Sequence, residues 1–262
     1  MEFGYDRFSS HDTGRRELLR KNHGGRRCRR SARYAGAGAA GERTGRGVCS
    51  DLDPRAPLFF LSYAHTGRGK RSAGPAQEPN RQVIKFFDDL SDNLSQLVSR
   101  PPGADPGFID RSIPDGGRWS DELMHAVGTC QIFVALLSMP YLTSEWCGME
   151  WHAFSQRTVT KLRESGSDRT TAILPVLWAP TPREIIPPVV SKVQRFTPAG
   201  LPDPNYTEHY RNEGVFGLTK TSPDAYEAIV WQLARRISDL HYSHRVEPRA
   251  LQRDQLRNIF LE

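Results

Sequence analysis

Short apolar runs alternate with amphipathic stretches along residues 57–240 of this 262-residue chain. The apolar runs predict buried strands over 57–63 (PLFFLSY), 107–110 (GFID), 131–138 (QIFVALLS) and 171–179 (TAILPVLWA). Apolar residues at helical spacing predict helices over 82–98, 119–130, 146–160 and 222–240. Strands that alternate with helices predict an α/β domain whose parallel sheet is covered by helices on both faces.

The remaining segments carry weaker patterns. Pro175 indicates an irregular or edge position for the fourth strand, because proline cannot donate to a central ladder. Residues 180–221 are rich in proline and predict irregular chain with one short strand near 193–196. Residues 241–262 predict a charged tail, for which a helix is one alternative.

Charge separates the first 55 residues from the rest. They hold 13 of the 36 Lys and Arg and 7 of the 30 Asp and Glu, and therefore the whole net charge of +6. Their Arg, Gly, Ala and Ser content without an apolar period predicts disorder. A basic arm that binds nucleic acid or a membrane is the alternative, disfavoured because no aromatic residues interleave with the arginines. We therefore expect a disordered segment over 1–55, a domain over 56–240 and a tail over 241–262, with no specific nucleic-acid partner.

The cysteines and the hydropathy pattern exclude several classes of protein. Cys28, Cys49, Cys130 and Cys147 form no C-x-x-C pair and no metal-binding spacing with histidine, so no metal site is predicted. Cys130 and Cys147 lie in apolar or helical stretches, which favours buried, reduced thiols and a cytoplasmic location. No run of 18 apolar residues predicts a membrane span, and no apolar region near the N-terminus indicates a secretory signal.

Trp146 and Glu150 form the main chemical candidate. Four residues apart on a predicted helix, they share one face. A carboxyl group beside a large ring is partly desolvated, which raises its pKa; the ordinary alternative is a solvated glutamate beside a core tryptophan. Ligands of parallel sheets bind at the carboxyl ends of the strands. The side chains expected to converge there are Tyr63, Arg111, Trp119, Ser144, Trp146 and Glu150.

Five motifs occur together in one order along the chain. They are FFLSYAH (59–65), D-R-x-I-x-x-G-x-x-W (110–119), L-x-x-A-V-x-x-C (123–130), FVALLS (133–138) and Y-L-x-S-x-W-C-x-x-E (141–150). In this order and spacing the chain resembles the TIR (Toll/interleukin-1 receptor) domain family over about residues 57–240. FFDDL (86–90), CGMEW (147–151) and VLW (176–178) are similar to actinobacterial TIR-like proteins, some encoded beside clusters for modified peptides. The resemblance implies a flavodoxin-like, three-layer α/β/α fold with a central, about five-stranded parallel sheet.

The resemblance also implies two functions in signalling or defence. Some TIR domains are NAD+ nucleosidases, in which NAD+ is the substrate and no cofactor is needed; Glu150 matches their catalytic glutamate in a W-x-x-x-E helix. The substrate contacts expected for this reaction are Phe59, Ser62, Tyr63, Arg111, Trp119, Ser144 and Trp146. Other TIR domains are assembly modules that bind further TIR domains. Their interface loop corresponds here to Ile113, Pro114, Asp115, Gly116 and Gly117.

Overall fold

The computed structural model describes residue 53 and residues 56–65, 80–111, 120–162 and 171–261. All of them lie in one compact unit, Val48–Glu262. The strands are β1 (Phe59–Ser62), β2 (Gly107–Ile109), β3 (Ile132–Leu137), β4 (Val159–Lys161), β5 (Ile173–Leu177) and β6 (His244–Val246). The helices are α1 (Arg81–Ser95), α2 (Asp121–Thr129), α3 (Met139–Leu142), α4 (Glu145–Ser155), α5 (Pro188–Ser191), α6 (Asn205–Thr221) and α7 (Pro223–Ser243), with 3-10 turns at Arg183–Ile185 and Arg253–Gln255.

The central sheet of the described residues has four parallel strands in the order β2-β1-β3-β5. The predicted α/β class with a parallel sheet is confirmed, and β5 with Pro175 is an edge strand. The short strand expected near 193–196 does not form. Instead the Phe196 N–H donates one hydrogen bond, 2.8 Å long, to the Pro175 carbonyl, so this segment follows the sheet edge without a ladder.

The core consists of two apolar clusters, one on each face of the sheet. Alternate residues of a strand point to opposite faces, so Phe59, Leu61 and Tyr63 face the first cluster, which includes residues of α1, α6 and α7. Phe60 faces the second cluster, which includes residues of α2 and α4. This arrangement explains why β1 and β3 read as continuous apolar runs rather than as alternating ones.

The four predicted helices form, but two predictions about the chain around them are wrong. Helix α4 ends at Ser155, so the prediction that it extends to residue 160 is wrong there; Val159–Lys161 instead pair with β6 in an antiparallel ladder. The irregular chain predicted over 180–221 is also wrong, because α6 occupies Asn205–Thr221. This helix is kinked at Gly214, whose φ of 66° suits glycine. A Cβ there would lie 2.6 Å from the Trp178 carbonyl oxygen.

The C-terminal segment, residues 247–261, follows β6 and packs on the face of the domain formed by α4. Of the tail predicted over 241–262, residues 241–243 complete α7 and residues 244–246 form β6. The described remainder contains a 3-10 turn and no α-helix. The Phe260 ring lies 5.7 Å from the Tyr141 ring and 5.9 Å from the Trp151 ring, measured between centroids. Gly148 permits this packing, because a Cβ there would lie 1.9 Å from Asn258 Oδ1. The segment is thus part of the second core cluster.

A buried arginine joins this region to the sheet. The Arg157 guanidinium donates to the carbonyl oxygens of Val127, Cys130 and Glu247, at 3.0, 2.6 and 3.0 Å. It therefore ties the end of α2 to the start of the C-terminal segment. Among the described residues, no helix has the length and apolar character that crossing a membrane requires.

Candidate active site

Helix α4 places Glu150 against the sheet. The helix begins after Ser144, whose side chain accepts a hydrogen bond from the Cys147 N–H at 3.3 Å, as N-cap residues do. One turn further on, the Glu150 side chain points inward and only 8% of the residue is exposed. The prediction that the Glu150 side chain is desolvated is therefore correct. The surrounding core covers it more than Trp146 does, because Trp146 is itself only half-buried against the second cluster.

The Glu150 carboxyl group is held by a short chain of hydroxyl groups. Ser62 Oγ, at the carboxyl end of β1, donates to Glu150 Oε2 at 2.5 Å. The same Oγ lies 3.0 Å from the Tyr141 hydroxyl group. Ser62 and Tyr141 are almost completely buried, so no bulk water competes for these bonds. We call this group of Tyr141, Ser62 and Glu150 the carboxyl network.

Burial controls the protonation of Glu150. Desolvation raises its pKa to about 8; the Ser62 hydrogen bond works in the opposite direction, and the charge of Asp110 adds a further increase. At pH 7 only about one tenth of the molecules then carry an ionised Glu150. A glutamate whose ionisation falls near neutral pH is a recognised property of catalytic sites, and surface glutamates do not show it.

The neighbouring groups stay uncharged near neutral pH. Burial and the charge of Glu150 raise the pKa of the Cys147 thiol well above its usual value, and burial also raises the pKa of Tyr141. Cys130, on the far side of the cluster, has a pKa raised by burial to about 12. Both cysteines are free and buried, as expected, and neither is a thiolate nucleophile at neutral pH.

A cavity of about 530 Å³ opens at the carboxyl ends of β1, β3 and β5. Its described lining includes Tyr63, Ser138, Trp178, Phe216 and Lys220. The Lys220 ammonium group lies 4.1 Å from the centroid of the Phe216 ring, so the cavity presents a cation and aromatic faces. The cavity lies on the Tyr63 side of β1, whereas Glu150 lies on the Ser62 side. The end of β1 therefore separates the two.

The predicted site residues fall into three groups. Ser62, Ser144, Trp146 and Glu150 lie on β1 or α4, within the network or its helix. Tyr63 and Arg111 lie outside the network: the Tyr63 hydroxyl donates to the Asp110 carbonyl at 2.8 Å, and exposed Arg111 approaches Asp88 at 3.4 Å. Trp119 and the predicted interface loop, Ile113, Pro114, Asp115, Gly116 and Gly117, lie outside the described residues.

Two of these placements change an expectation. Phe59 has no exposed surface and packs against Phe87 with ring centroids 5.5 Å apart, so its predicted contact with substrate is corrected to a core contact. Ser62 is among the substrate contacts that the resemblance implies. Its hydroxyl group instead bonds to Glu150 and Tyr141 and is buried.

The sequence did not indicate Tyr141 as a site residue. It lies nine positions before Glu150 on a separate short helix, so no helical spacing links the two. The aromatic and cationic lining from Phe216 and Lys220 was also missed, because α6 was not predicted. Among the described residues, no cluster of three or more His, Cys, Asp or Glu is placed to hold a metal ion.

Comparison with known proteins gives one result. A family model described as "TIR domain" matches residues 79–209, which is half of the chain and includes the whole of α4. No curated protein matches the sequence.

Proposed function

The chain belongs to the TIR domain family, and we propose that it is an NAD+ nucleosidase that cleaves the nicotinamide–ribose bond with Glu150 as its key carboxylate. TIR domains act in signalling and defence and in general bind one another. The observation that carries the proposal is a buried, hydroxyl-bonded carboxyl group at the carboxyl end of a parallel sheet.

The reaction requires little from the protein. Nicotinamide is bound to ribose as a cation and leaves as a neutral molecule, so its departure needs no general acid. The ribose passes through an oxocarbenium-like state, and a carboxylate close to the anomeric carbon stabilises that positive charge until a water molecule adds to that carbon and releases a proton. One carboxylate is sufficient, which fits a described site where Glu150 is the only acid in the carboxyl network.

The protonation of Glu150 fits this substrate in particular. A neutral ligand would leave the buried carboxyl group mostly protonated at pH 7, since desolvation is what raises its pKa. A cationic nicotinamide ring nearby lowers that pKa, because an opposite charge favours the ionised form. Binding of NAD+ would therefore produce the carboxylate that the reaction uses, whereas an empty site would keep it neutral.

The cavity at the strand ends suits the remainder of the dinucleotide. Its volume of about 530 Å³ lies in the usual range for small-molecule sites, and Lys220 offers a positive charge for a pyrophosphate group. The carboxyl network lies across the end of β1 from this cavity. The proposal therefore requires the Ser62–Glu150 bond to open, so that the carboxylate reaches the ribose at the strand end.

Assembly with other TIR domains is the second candidate function. The observation in its favour is that Glu150 is 8% exposed and closed off in the single chain. A second TIR domain docked at the strand ends would supply the free energy to open the network. Non-catalytic assembly is the alternative if no nicotinamide is released under any condition.

Nicotinamide release from NAD+ tests the proposal. The purified chain is assayed over a range of protein concentrations, beside Glu150→Gln and the control Glu145→Gln, an exposed glutamate of the same helix. We expect release by the wild type and by the control, and a loss of at least about a hundredfold in Glu150→Gln. Release that rises more steeply than protein concentration would support activation by assembly. Undiminished release by a folded Glu150→Gln variant would refute the proposal.

A further inference from the structure

The edge of the sheet at β5 carries a concave surface with a marked excess of arginine. Two cavities of about 430 and 300 Å³ lie side by side there and share Arg195, Phe196 and Thr197. We call them together the arginine groove. The described residues that line it include five arginines, Arg183, Arg195, Arg211, Arg235 and Arg236.

These arginines come from four separate parts of the fold. Arg235 and Arg236 are consecutive residues of α7, and Arg211 belongs to α6. Arg183 begins a 3-10 turn, and Arg195 lies in the segment that bonds to Pro175 along the edge of β5. The tertiary fold, and not a basic run in the sequence, therefore brings the charges together.

The arginines outnumber the acidic residues among the described residues that line the groove. Asp239 is the one acidic residue among the described residues that line the groove. None of the five guanidinium groups forms an ion pair or a hydrogen bond within the described residues. Residues 56–262 as a whole carry equal numbers of basic and acidic residues, so this local excess is not a general property of the domain. Gathering like charges costs free energy, which an anionic ligand would recover.

Neutral donors complete the surface. Gln194 and Gln232 line the larger cavity. Thr181 lines the smaller one, and its Oγ1 is buried without a hydrogen-bond partner.

We infer that the arginine groove binds a small ligand with two or more phosphate groups. Guanidinium groups match phosphate oxygens with paired hydrogen bonds. Two cavities joined at Arg195 fit an elongated anion with charge at both ends. Phe196 and Tyr210 in the groove are buried, so recognition rests on charge and not on stacking of a base. The volumes suit a small molecule better than a protein surface.

Calorimetric titration of the full chain with inorganic tripolyphosphate, at an ionic strength of about 0.15 M, tests this inference. We expect one saturable site. Arg195→Gln, at the junction of the two cavities, should weaken binding at least about tenfold, as should Arg235→Gln. The matched control is Arg253→Gln, which removes one charge from an exposed position outside both cavities and should leave affinity unchanged. Circular dichroism and urea unfolding establish that each variant is folded.

Three outcomes would overturn the inference. They are no saturable binding of tripolyphosphate, equal weakening by Arg253→Gln, or tighter binding of a hepta-glutamate peptide, which would indicate an acidic protein partner instead. The inference does not depend on the proposed hydrolase activity. Glu150→Gln should bind tripolyphosphate as the wild type does, so failure of one proposal is distinguishable from failure of the other.

Discussion

Replacing Glu150 with glutamine should change how the stability of this protein depends on pH. Glutamine has nearly the same shape and still accepts a hydrogen bond from Ser62, but it does not titrate. Glu150 has a pKa of about 8 in the folded protein, against 4.5 for an ordinary glutamate. The folded state therefore binds the proton more tightly than the unfolded state does. The wild type is most stable below pH 4.5 with respect to this group, and it loses that stabilisation as the pH rises to 8.

The size of the effect follows from the same two values. Each unit of pKa difference corresponds to about 1.4 kcal/mol, so the contribution lost between pH 4.5 and pH 8 is about 5 kcal/mol. Above pH 8 both states are ionised and the loss stops. Because the stability of a whole domain is typically only about 5–15 kcal/mol, this one group should dominate the pH profile of the wild type in that range.

Urea unfolding followed by tryptophan fluorescence, at steps from pH 4 to pH 9, measures the effect. The useful quantity is the difference in free energy of unfolding between wild type and Glu150→Gln, since all other titrating groups cancel in it. We expect this difference to shift by about 5 kcal/mol in favour of the variant as the pH rises. Glu145→Gln, which changes an exposed glutamate of the same helix, is the matched control. A flat difference for Glu150→Gln would show that this carboxyl group is not desolvated, and the reasoning about its protonation would fail.

Three further substitutions test the surroundings of the network. Ser62→Ala removes the hydrogen bond that lowers the pKa of Glu150. In this variant the loss of stability with rising pH should therefore continue above pH 8, and the free energy of unfolding in urea should be about 1–3 kcal/mol lower than that of the wild type. Phe260→Ala should lower the free energy of unfolding by about 3 kcal/mol, whereas Leu261→Ala, 83% exposed, should change it by less than about 0.5 kcal/mol; similar values for both would contradict the packing described. Arg157→Leu leaves buried carbonyl groups without a donor and should lower the free energy of unfolding by at least about 2 kcal/mol, measured by thermal or chemical unfolding. An unchanged free energy of unfolding would contradict this role of Arg157.

The sheet and the helices that cover it were predictable because their signals are local. β3 (Ile132–Leu137) is apolar and buried at every position, and α1 shows its buried stripe in the spacing of Val83, Phe86, Phe87, Leu90 and Leu94. Helix α6 was not predictable in the same way. Few of its residues are buried, and the kink at Gly214 interrupts whatever period remains. Its place is fixed by contacts far away in sequence, such as the 2.8 Å bond from the Phe216 N–H to the Trp178 carbonyl.

The site was predictable in part for the same reason. Glu150 and Trp146 are related by helical spacing, which a sequence displays directly. Ser62 lies 88 positions from Glu150, and only the fold shows that its hydroxyl group meets the carboxyl group instead of a ligand. The arginine groove was not predictable for the same reason. Its five arginines are spread between positions 183 and 236, and only the fold brings them together beside β5.

The packing of the C-terminal segment has a practical consequence for experiments on this protein. Leu261 is exposed, but its neighbour Phe260 rests on the ring of Tyr141, which in turn bonds to Ser62 beside Glu150. An affinity tag, a fluorophore or a fusion partner attached at this end is therefore only a few side chains away from the titrating carboxyl group. Labels placed there would disturb the measurement that they are meant to report.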